Sequence, residues 1–371
     1  MDPERLKENF ARVAEHGDAV ALFFYSHLFL AHPEVREMFP VAMTAQRDRL
    51  LGALVRIVSD AANADALVPF LQDLGRDHRK FGAIAEHYPA VGASLIATLK
   101  YFSGAGWSAE LERDWTEAYT LIAQVMTGAA AADARPPWWE ATIVGCERRA
   151  VDIAVLRVAP RQPFSYQPGQ WAYLECESRP RLWRAYSMAN APREDGTVDF
   201  HVRVLDGGQV SMALAGGLPV GSRLRLGPPG GSFTFANGTG RDVVMAAGGT
   251  GLAPVKSIVE RIAGLGNPPR VRLFFGARTI GELYDLPDLE KKAESWPWFS
   301  LTACVSQEAP RYAPFERGTI VEVMARLGTW REHDAYVSGS SAMVTATASY
   351  LRATGTPGEQ ICVENFGWSE G

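Results

Sequence analysis

The feature that most restricts what this chain can become is a change in the spacing of its apolar residues at Trp138. Up to about Ala134, apolar side chains recur three and four residues apart in DAVALFFYSHLFLAH, AQRDRLLGALVRIVSDAA, ALVPFLQDLGRDHRKFGAIAEH, PAVGASLIATLKYF and SAELERDWTEAYTLIAQVMTGAA. That is the spacing of helices with one buried face. Ser108, followed by Leu111 and Glu112, resembles a helix start. Pro136 and Pro137 then stop helical structure, since neither can donate a backbone hydrogen bond, and residues 130–137 read as a linker. Beyond Trp138 the period falls to two: ATIVGCERRAVDIAVLRVAP, GQWAYLEC, TVDFHVRVL and SRLRLGPPGGSFTF alternate apolar and polar residues between Gly and Pro turns, as an antiparallel barrel does. Near Arg241 the pattern changes again. VVMAAG, RVRLFFGA and FSLTACV are apolar on both faces and alternate with helical segments such as APVKSIVERIAG, the mark of a parallel sheet covered by helices. The expectation is a multidomain chain: an all-α domain over 1–134, an antiparallel β-barrel over 138–239 and an α/β domain over 240–371.

Charge narrows the function classes. A formal net charge of -5 argues against a nucleic-acid partner, because phosphate binding needs a concentrated basic surface. Arg148 and Arg149 follow Glu147 and read as a solvated strand edge. No apolar run approaches the roughly 20 residues that span a bilayer, and the amino terminus lacks the layout of a secretory signal, so a cytoplasmic location is expected. Cys146, Cys176, Cys304 and Cys362 are scattered without the spacing of a zinc or iron-sulfur site. Electron chemistry would therefore need an organic cofactor, or a metal held by other side chains.

The histidines then come into question. Leu67, Leu71, Leu74, His78 and Phe81 share one helical face, which aims His78 at the core. On that fact alone a satisfied core histidine is the commoner reading, and an iron ligand the sharper one. Met43, Gln46, Leu50 and Leu54 form a similar stripe that leaves the Gln46 amide on an apolar face, and Tyr25 adds a hydroxyl among Phe24, Phe29 and Phe39. Three polar side chains facing one core make a candidate pocket. His16, His27, His32 and His87 sit beside polar residues and read as surface or capping groups, while His201 and His333 lack any paired ligand spacing.

The second half carries its own words. RAYSMAN supplies Arg184 for a phosphate, and Tyr186 and Ser187 for a planar ring. GGQVSMAL, with Gly208, Gln209, Val210 and Ser211, joins a glycine turn to a short helix expected to begin near Ser211, and free amides at a helix start suit a pyrophosphate. Gly248, Gly249, Thr250 and Gly251 join a buried strand to a helix in AAGGTGLAP, which is not the GxGxxG fingerprint. YVSGSSAMV repeats the strand, glycine turn and helix layout.

Residues 1 to about 134 resemble the globin domain of the flavohaemoglobins in the words FFYSHLF, HPEVREMF, QRDRLLGAL, LGRDHRKF and EHYPAVGASLIATL. The resemblance implies that His78 is the proximal ligand to a haem b iron. It also implies that Tyr25 and Gln46 line the distal side where oxygen binds, that Phe39 packs on the haem and that Tyr88 belongs to a network behind His78. Two departures stand out. PVAMTA, between Phe39 and Gln46, is a few residues shorter than the family pattern. Ala130 occupies the nearest position to the family's proximal glutamate, whose loss leaves the imidazole donating less electron density unless an acid such as Glu86 substitutes.

The later words resemble the FAD and nicotinamide domains of ferredoxin reductase-like enzymes. The resemblance implies that Arg184, Tyr186 and Ser187 meet FAD, that the 208–211 turn meets its phosphates, and that the 248–251 turn takes NADH or NADPH. Ser338 and Ser340 replace the cysteine and proline of the family's CGP word, and VENFGW places Phe366 over the flavin and Glu364 near the reacting ring. Arg278 is positioned for a ribose phosphate, with a lean toward NADH.

Taken together, the resemblance implies electron flow from NAD(P)H through FAD to haem iron, with oxygen and nitric oxide as small-molecule substrates and nitrate as product. The alternatives are reduction of oxygen, peroxide or another acceptor, and an oxygen sensor or store that a reductase resets. No membrane span is expected, and nothing in the sequence speaks to oligomeric state.

Overall fold

The computed structural model describes residues 1–216, 218–308 and 315–366. It divides into two compact units, Met1–Pro137 and the chain from Trp138 onward, at the proline pair.

The first unit is helical: α1 (Pro3–Ala14), α2 (Asp18–Ala31), α3 (Thr44–Ser59), α4 (Ala64–His78), α5 (Tyr88–Ser103) and α6 (Ala109–Ala132). The Asp2 carboxylate caps α1 by accepting from the Glu4 and Arg5 amides at 3.1 and 3.2 Å, and the Ser108 hydroxyl caps α6 by accepting from Leu111 at 3.2 Å. α2 packs on α5, and α4 on α6. Two glycines let α4 and α5 approach α6 closely. A Cβ on Gly75 would lie 2.2 Å from the Met126 carbonyl oxygen, and one on Gly92 would lie 2.4 Å from the Tyr119 ring. Phe10, Val13, Phe24, Leu28, Leu99 and Trp115 fill the core. The expected linker begins too early, because α6 continues to Ala132: its alanine run carries no side-chain entropy to lose and so sustains the helix.

The second unit opens with six antiparallel strands: β1 (Trp139–Arg148), β2 (Ile153–Pro160), β3 (Trp171–Cys176), β4 (Arg184–Ser187), β5 (Val198–Arg203) and, after the helix α7 (Gln209–Gly216), β6 (Arg223–Leu226). Their order is β4-β3-β6-β1-β2-β5, and a bridge between Met188 and Phe200 nearly closes the sheet. The helix in GGQVSMAL starts at Gln209, two residues before the expected Ser211, because the Ser211 hydroxyl is spent inside the turn.

A parallel sheet follows: β7 (Val243–Gly248), α8 (Leu252–Ala263), β8 (Val271–Ala277), α9 (Leu286–Ser295), β9 (Phe299–Val305), β10 (Phe315–Arg317), α10 (Ile320–Leu327), β11 (Asp334–Gly339), α11 (Ser341–Ala353) and β12 (Ile361–Asn365). Its order is β10-β9-β8-β7-β11-β12, with β7 inside the sheet. Met245, Ala247 and Tyr336 face one core with Val255 and Ile258 of α8, while Val244, Ala246 and Val337 face another with Val323 and Val344 of α10 and α11. The apolar runs of the sequence therefore do mark strands covered on both faces.

One alternating strand departs from its pattern. Asp199 and His201 of β5 are buried, although their polar alternation reads as solvent-facing. The Asp199 carboxylate accepts from Arg157 and Arg193, and the His201 imidazole meets the Tyr284 hydroxyl at 2.6 Å, so the outer face of β5 lies beneath residues that precede α9. At the same seam the fully buried Asp285 accepts from Arg149 at 2.9 Å and Lys256 at 2.6 Å, tying β1 and β2 to α8. Among the described residues no helix is long and apolar enough to cross a membrane.

Candidate functional site

In the helical unit Tyr25 is buried, with its ring centroid 5.0 Å from Phe24, 5.7 Å from Phe29 and 5.5 Å from Phe39. Its hydroxyl donates to the Gln46 backbone carbonyl at 3.4 Å, which brings the first turn of α3 to the aromatic cluster. Burial pushes the phenol up to about 12, so it stays a neutral O–H donor at any physiological pH. Gln46 is half-buried. The short segment after Phe39 is held by Arg36, which donates to the Phe39 and Pro40 carbonyls at 3.1 and 3.2 Å and lies 5.0 Å from the Phe29 ring. Sequence reasoning passed over Arg36; its place in HPEVREMF was the available signal.

His78 ends α4. Its Nδ1–H donates to the Leu74 carbonyl at 2.7 Å, one turn back, and leaves Nε2 as the lone-pair nitrogen. Burial lowers its pKa against the Leu74 hydrogen bond and Asp77, with the Lys80 ammonium adding to the fall, which favours the neutral ring. A neutral imidazole oriented through Nδ1 and flanked by the Phe81 ring, at 6.3 Å and 80°, is the donor that a haem iron takes. Lys80, itself buried, pairs with Asp77.

Tyr88 is half-buried at the start of α5, where its backbone carbonyl accepts from the Tyr119 hydroxyl at 2.6 Å. Ala130 lies on α6 and offers no carboxylate, and Glu86 is exposed in the turn 85–87. Among the described residues no group of three or more His, Cys, Asp or Glu side chains could hold a metal ion.

In the second unit the RAYS word is β4 itself, paired so that Ser187 stands opposite Trp171 and Tyr186 opposite Ala172. Arg184 donates to the Trp183 carbonyl at 3.0 Å, and burial raises the Tyr186 phenol above its ordinary value. The preceding PGQW turn requires its glycine: Gly169 has φ +98°, and a Cβ there would lie 1.8 Å from the Phe233 carbonyl oxygen. At the 208–211 turn, the Ser211 hydroxyl donates to the Gly208 carbonyl and accepts from the Leu205 amide, both at 3.1 Å. Ser211 thus shapes the turn, while the first amides of α7, on Gln209, Val210 and Ser211, have no intrahelical acceptor and can face a pyrophosphate.

Gly248, Gly249, Thr250 and Gly251 line a cavity of about 320 Å³ together with Arg203 and Phe366. Its glycines leave little room for a side chain: a Cβ on Gly251 would lie 2.4 Å from the Ser338 carbonyl oxygen, and one on Gly248 would lie 2.7 Å from the Met343 sulfur. Ser338 is buried, and its hydroxyl has no partner among the described residues. Ser340 precedes the first turn of α11 at the cavity edge, and its side chain makes no capping hydrogen bond there. The Phe366 amide donates to the Gly339 carbonyl at 3.0 Å, while Gly367 and Trp368 of VENFGW lie outside the described residues.

Glu364 comes to the flavin word directly, accepting from the Ser187 hydroxyl at 3.3 Å, and burial raises its carboxyl to about 7. Arg278 is committed to Glu282, donating from its side chain at 2.6 and 3.3 Å and from its backbone amide at 3.0 Å. Sequence reasoning missed Glu282 and Arg203, since neither belongs to a glycine word.

Comparison with known proteins agrees with this division. A globin family model matches residues 22–126, an oxidoreductase FAD-binding domain matches 142–235 and an oxidoreductase NAD-binding domain matches 245–349. The flavohemoprotein of Bacillus subtilis is 24% identical over 98% of this chain and 96% of its own length. The reductase component of propane 2-monooxygenase from Mycolicibacterium goodii is 31% identical over 60% of this chain, which spans 66% of that protein. The crystal structure of flavohemoglobin from Malassezia yamatoensis shares the fold at a TM-score of 0.75, with 18% identity and 98% of each chain covered. The three domains are consistent with haem b, FAD and NAD(P)H sites. The chain is a globin domain fused to an FAD- and NAD(P)H-binding reductase domain pair, and matches the flavohaemoglobin-type architecture.

Proposed function

We propose that the chain passes electrons from a nicotinamide dinucleotide through FAD to haem iron and uses them to oxidise nitric oxide to nitrate with dioxygen, within domains bounded at 1–134, 138–239 and 240–371. Two electrons from one dinucleotide balance the conversion of two nitric oxide and two dioxygen molecules into two nitrate ions. When bound, FAD divides a two-electron hydride into single electrons and haem b supplies a one-electron site for a diatomic gas.

The chain's own residues do the rest. His78 presents Nε2 to the metal because the Leu74 carbonyl holds its other nitrogen. Tyr25, stacked on Phe29 and edge-on to Phe39, carries an O–H that would turn from the Gln46 carbonyl to donate where charge develops. Ser187 and Glu364 hold a proton beside the flavin word. The glycine turn at 248–251 brings backbone close to the dinucleotide phosphates.

The observation that carries the reading is the partner of His78. The carbonyl fixes the ring through Nδ1 and leaves Nε2 as the single nitrogen donor that a gas-binding globin haem takes. The test is turnover of purified protein loaded with haem and FAD, under oxygen with NADH and nitric oxide. Nitrate formed one-for-one with nitric oxide consumed supports the reading. NADH oxidation that ignores nitric oxide and yields peroxide favours oxygen reduction instead.

A further inference from the structure

The connections of the parallel sheet diverge at β7, since the chain leaves it for β8 on one side while β11 flanks it on the other. In an open sheet a ligand rests in the crevice outside the carboxyl ends of two such strands. Here those ends are Gly248 and Gly339, and Met343 reaches them from the first turn of α11. A Cβ on Gly248 would lie 2.7 Å from the Met343 sulfur, and one on Gly339 would lie 3.2 Å from the same atom. Backbone therefore closes the strand side of the thioether. The direction left open is the cavity, which Met343 lines.

This placement sets Met343 apart from the other oxidisable side chains of the reductase unit. Met188, Met245 and Met324 are fully buried, and Met212 is exposed on α7. Cys304 lines the same cavity, but burial pushes its thiol up to about 12 and keeps it from the thiolate form that peroxide attacks. A thioether has no proton to lose before it reacts.

We propose that Met343 is an oxidation site through which hydrogen peroxide closes the dinucleotide crevice. The sulfur gives an electron pair to one peroxide oxygen, and the O–O bond breaks as the S–O bond forms. The second oxygen leaves as water with both hydrogens, so the sulfur loses two electrons and the peroxide gains them. The new oxygen has no place against the two glycines, so it projects into the cavity as a polar acceptor, where the dinucleotide's own oxygens have to approach. The inference rests on the reading of this cleft as the nicotinamide dinucleotide site.

The test uses the full-length protein loaded with FAD, treated with hydrogen peroxide while each methionine is followed by peptide mass spectrometry. Sulfoxide at Met343 should accumulate in step with a fall of about 10-fold or more in stopped-flow flavin reduction by NADH. Reduction by dithionite, which needs no dinucleotide site, should be unchanged. Saturating NAD+ should shield Met343 while Met212 is oxidised as before, and methionine sulfoxide reductases should restore the rate. Met343→Leu, compared with its own untreated rate, should lose less than about 2-fold under the same treatment. A rate that falls while Met343 stays a thioether overturns the proposal, as does full sulfoxide at Met343 with the rate intact, or equal losses in the wild type and Met343→Leu. If the untreated protein is not reduced by NADH and NAD+ shields nothing, the reading of the cleft fails and takes the inference with it, an outcome distinct from a misplaced oxidation site.

Discussion

The Ser187 hydroxyl donates to the Glu364 carboxylate at 3.3 Å, joining residues 177 positions apart in the chain. Burial raises this carboxyl to about 7 and the serine bond opposes the rise, so near neutrality the pair divides between carboxylic acid and carboxylate. Flavin reduction by NADH should therefore inflect near pH 7. Glu364→Gln should remove the inflection and slow reduction by roughly 100-fold, as loss of a positioned proton carrier does. Ser187→Ala should move the inflection upward. An unchanged profile in both variants would show that the pair has no part in the step.

His78 should be the residue on which haem retention depends. His78→Ala should be purified without the intense near-ultraviolet haem band while keeping the visible flavin bands, and imidazole added during haem reconstitution should restore part of the lost band. A full-strength haem band in the variant without imidazole would show that another side chain is the ligand.

Tyr25→Phe tests the distal donor separately from the fold. The bond it removes is long at 3.4 Å, so stability should fall by no more than about 1 kcal/mol. Loss of an O–H aimed at developing charge should instead lower nitrate production by roughly 10- to 100-fold. Comparing the thermal midpoint with the nitrate rate distinguishes the two: a large fall in the midpoint with an unchanged rate would make the tyrosine structural.

His201 bears on acid stability. Burial lowers its pKa to about 4 in the folded chain, against about 6.5 in the unfolded one. The unfolded state then takes up the proton first, so stability is complete above about pH 6.5 and declines as pH falls toward 4, by about 3 kcal/mol for this group. Glu364 acts in the opposite sense: its raised pKa favours the fold at low pH and loses that contribution between about 4.5 and 7. His201→Asn keeps a polar group for Tyr284 without the titration. Urea unfolding of the variant between pH 4 and 7 should follow a curve displaced in favour of acid stability, and a curve parallel to the wild type's would refute the assignment.

The architecture was readable because each domain has its own apolar period, and periods survive without knowledge of contacts. Pro136 and Pro137 marked the boundary for a local reason, the missing amide. Local reasoning did less well where another element supplies the environment. Asp199 and His201 alternate with apolar neighbours as solvent-facing residues do, yet both are buried, Asp199 against Arg157 and Arg193 and His201 against Tyr284 just before α9. Asp285 sits in a run of ordinary helix-start residues, and only the fold reveals that it is fully buried between Arg149 and Lys256.

The same contrast separates the site residues. Gly248 and Gly251 were found because close backbone approach demands glycine whatever surrounds it. Glu282 and Arg36 escaped notice because their meaning depends on which partner lies across the gap.

The lack of room for a Cβ on Gly251 beside the Ser338 carbonyl has an implication for how the dinucleotide site can change. A methyl group there would push β7 and β11 apart, and Ser338 is in register with Glu364 on β12. Damage to the phosphate cradle would thus reach the proton-bearing pair on the flavin side. Substitutions that seek a new electron donor have more freedom at the tips of β8 and β9, where side chains meet solvent, than at the glycines, where one strand rests on the next.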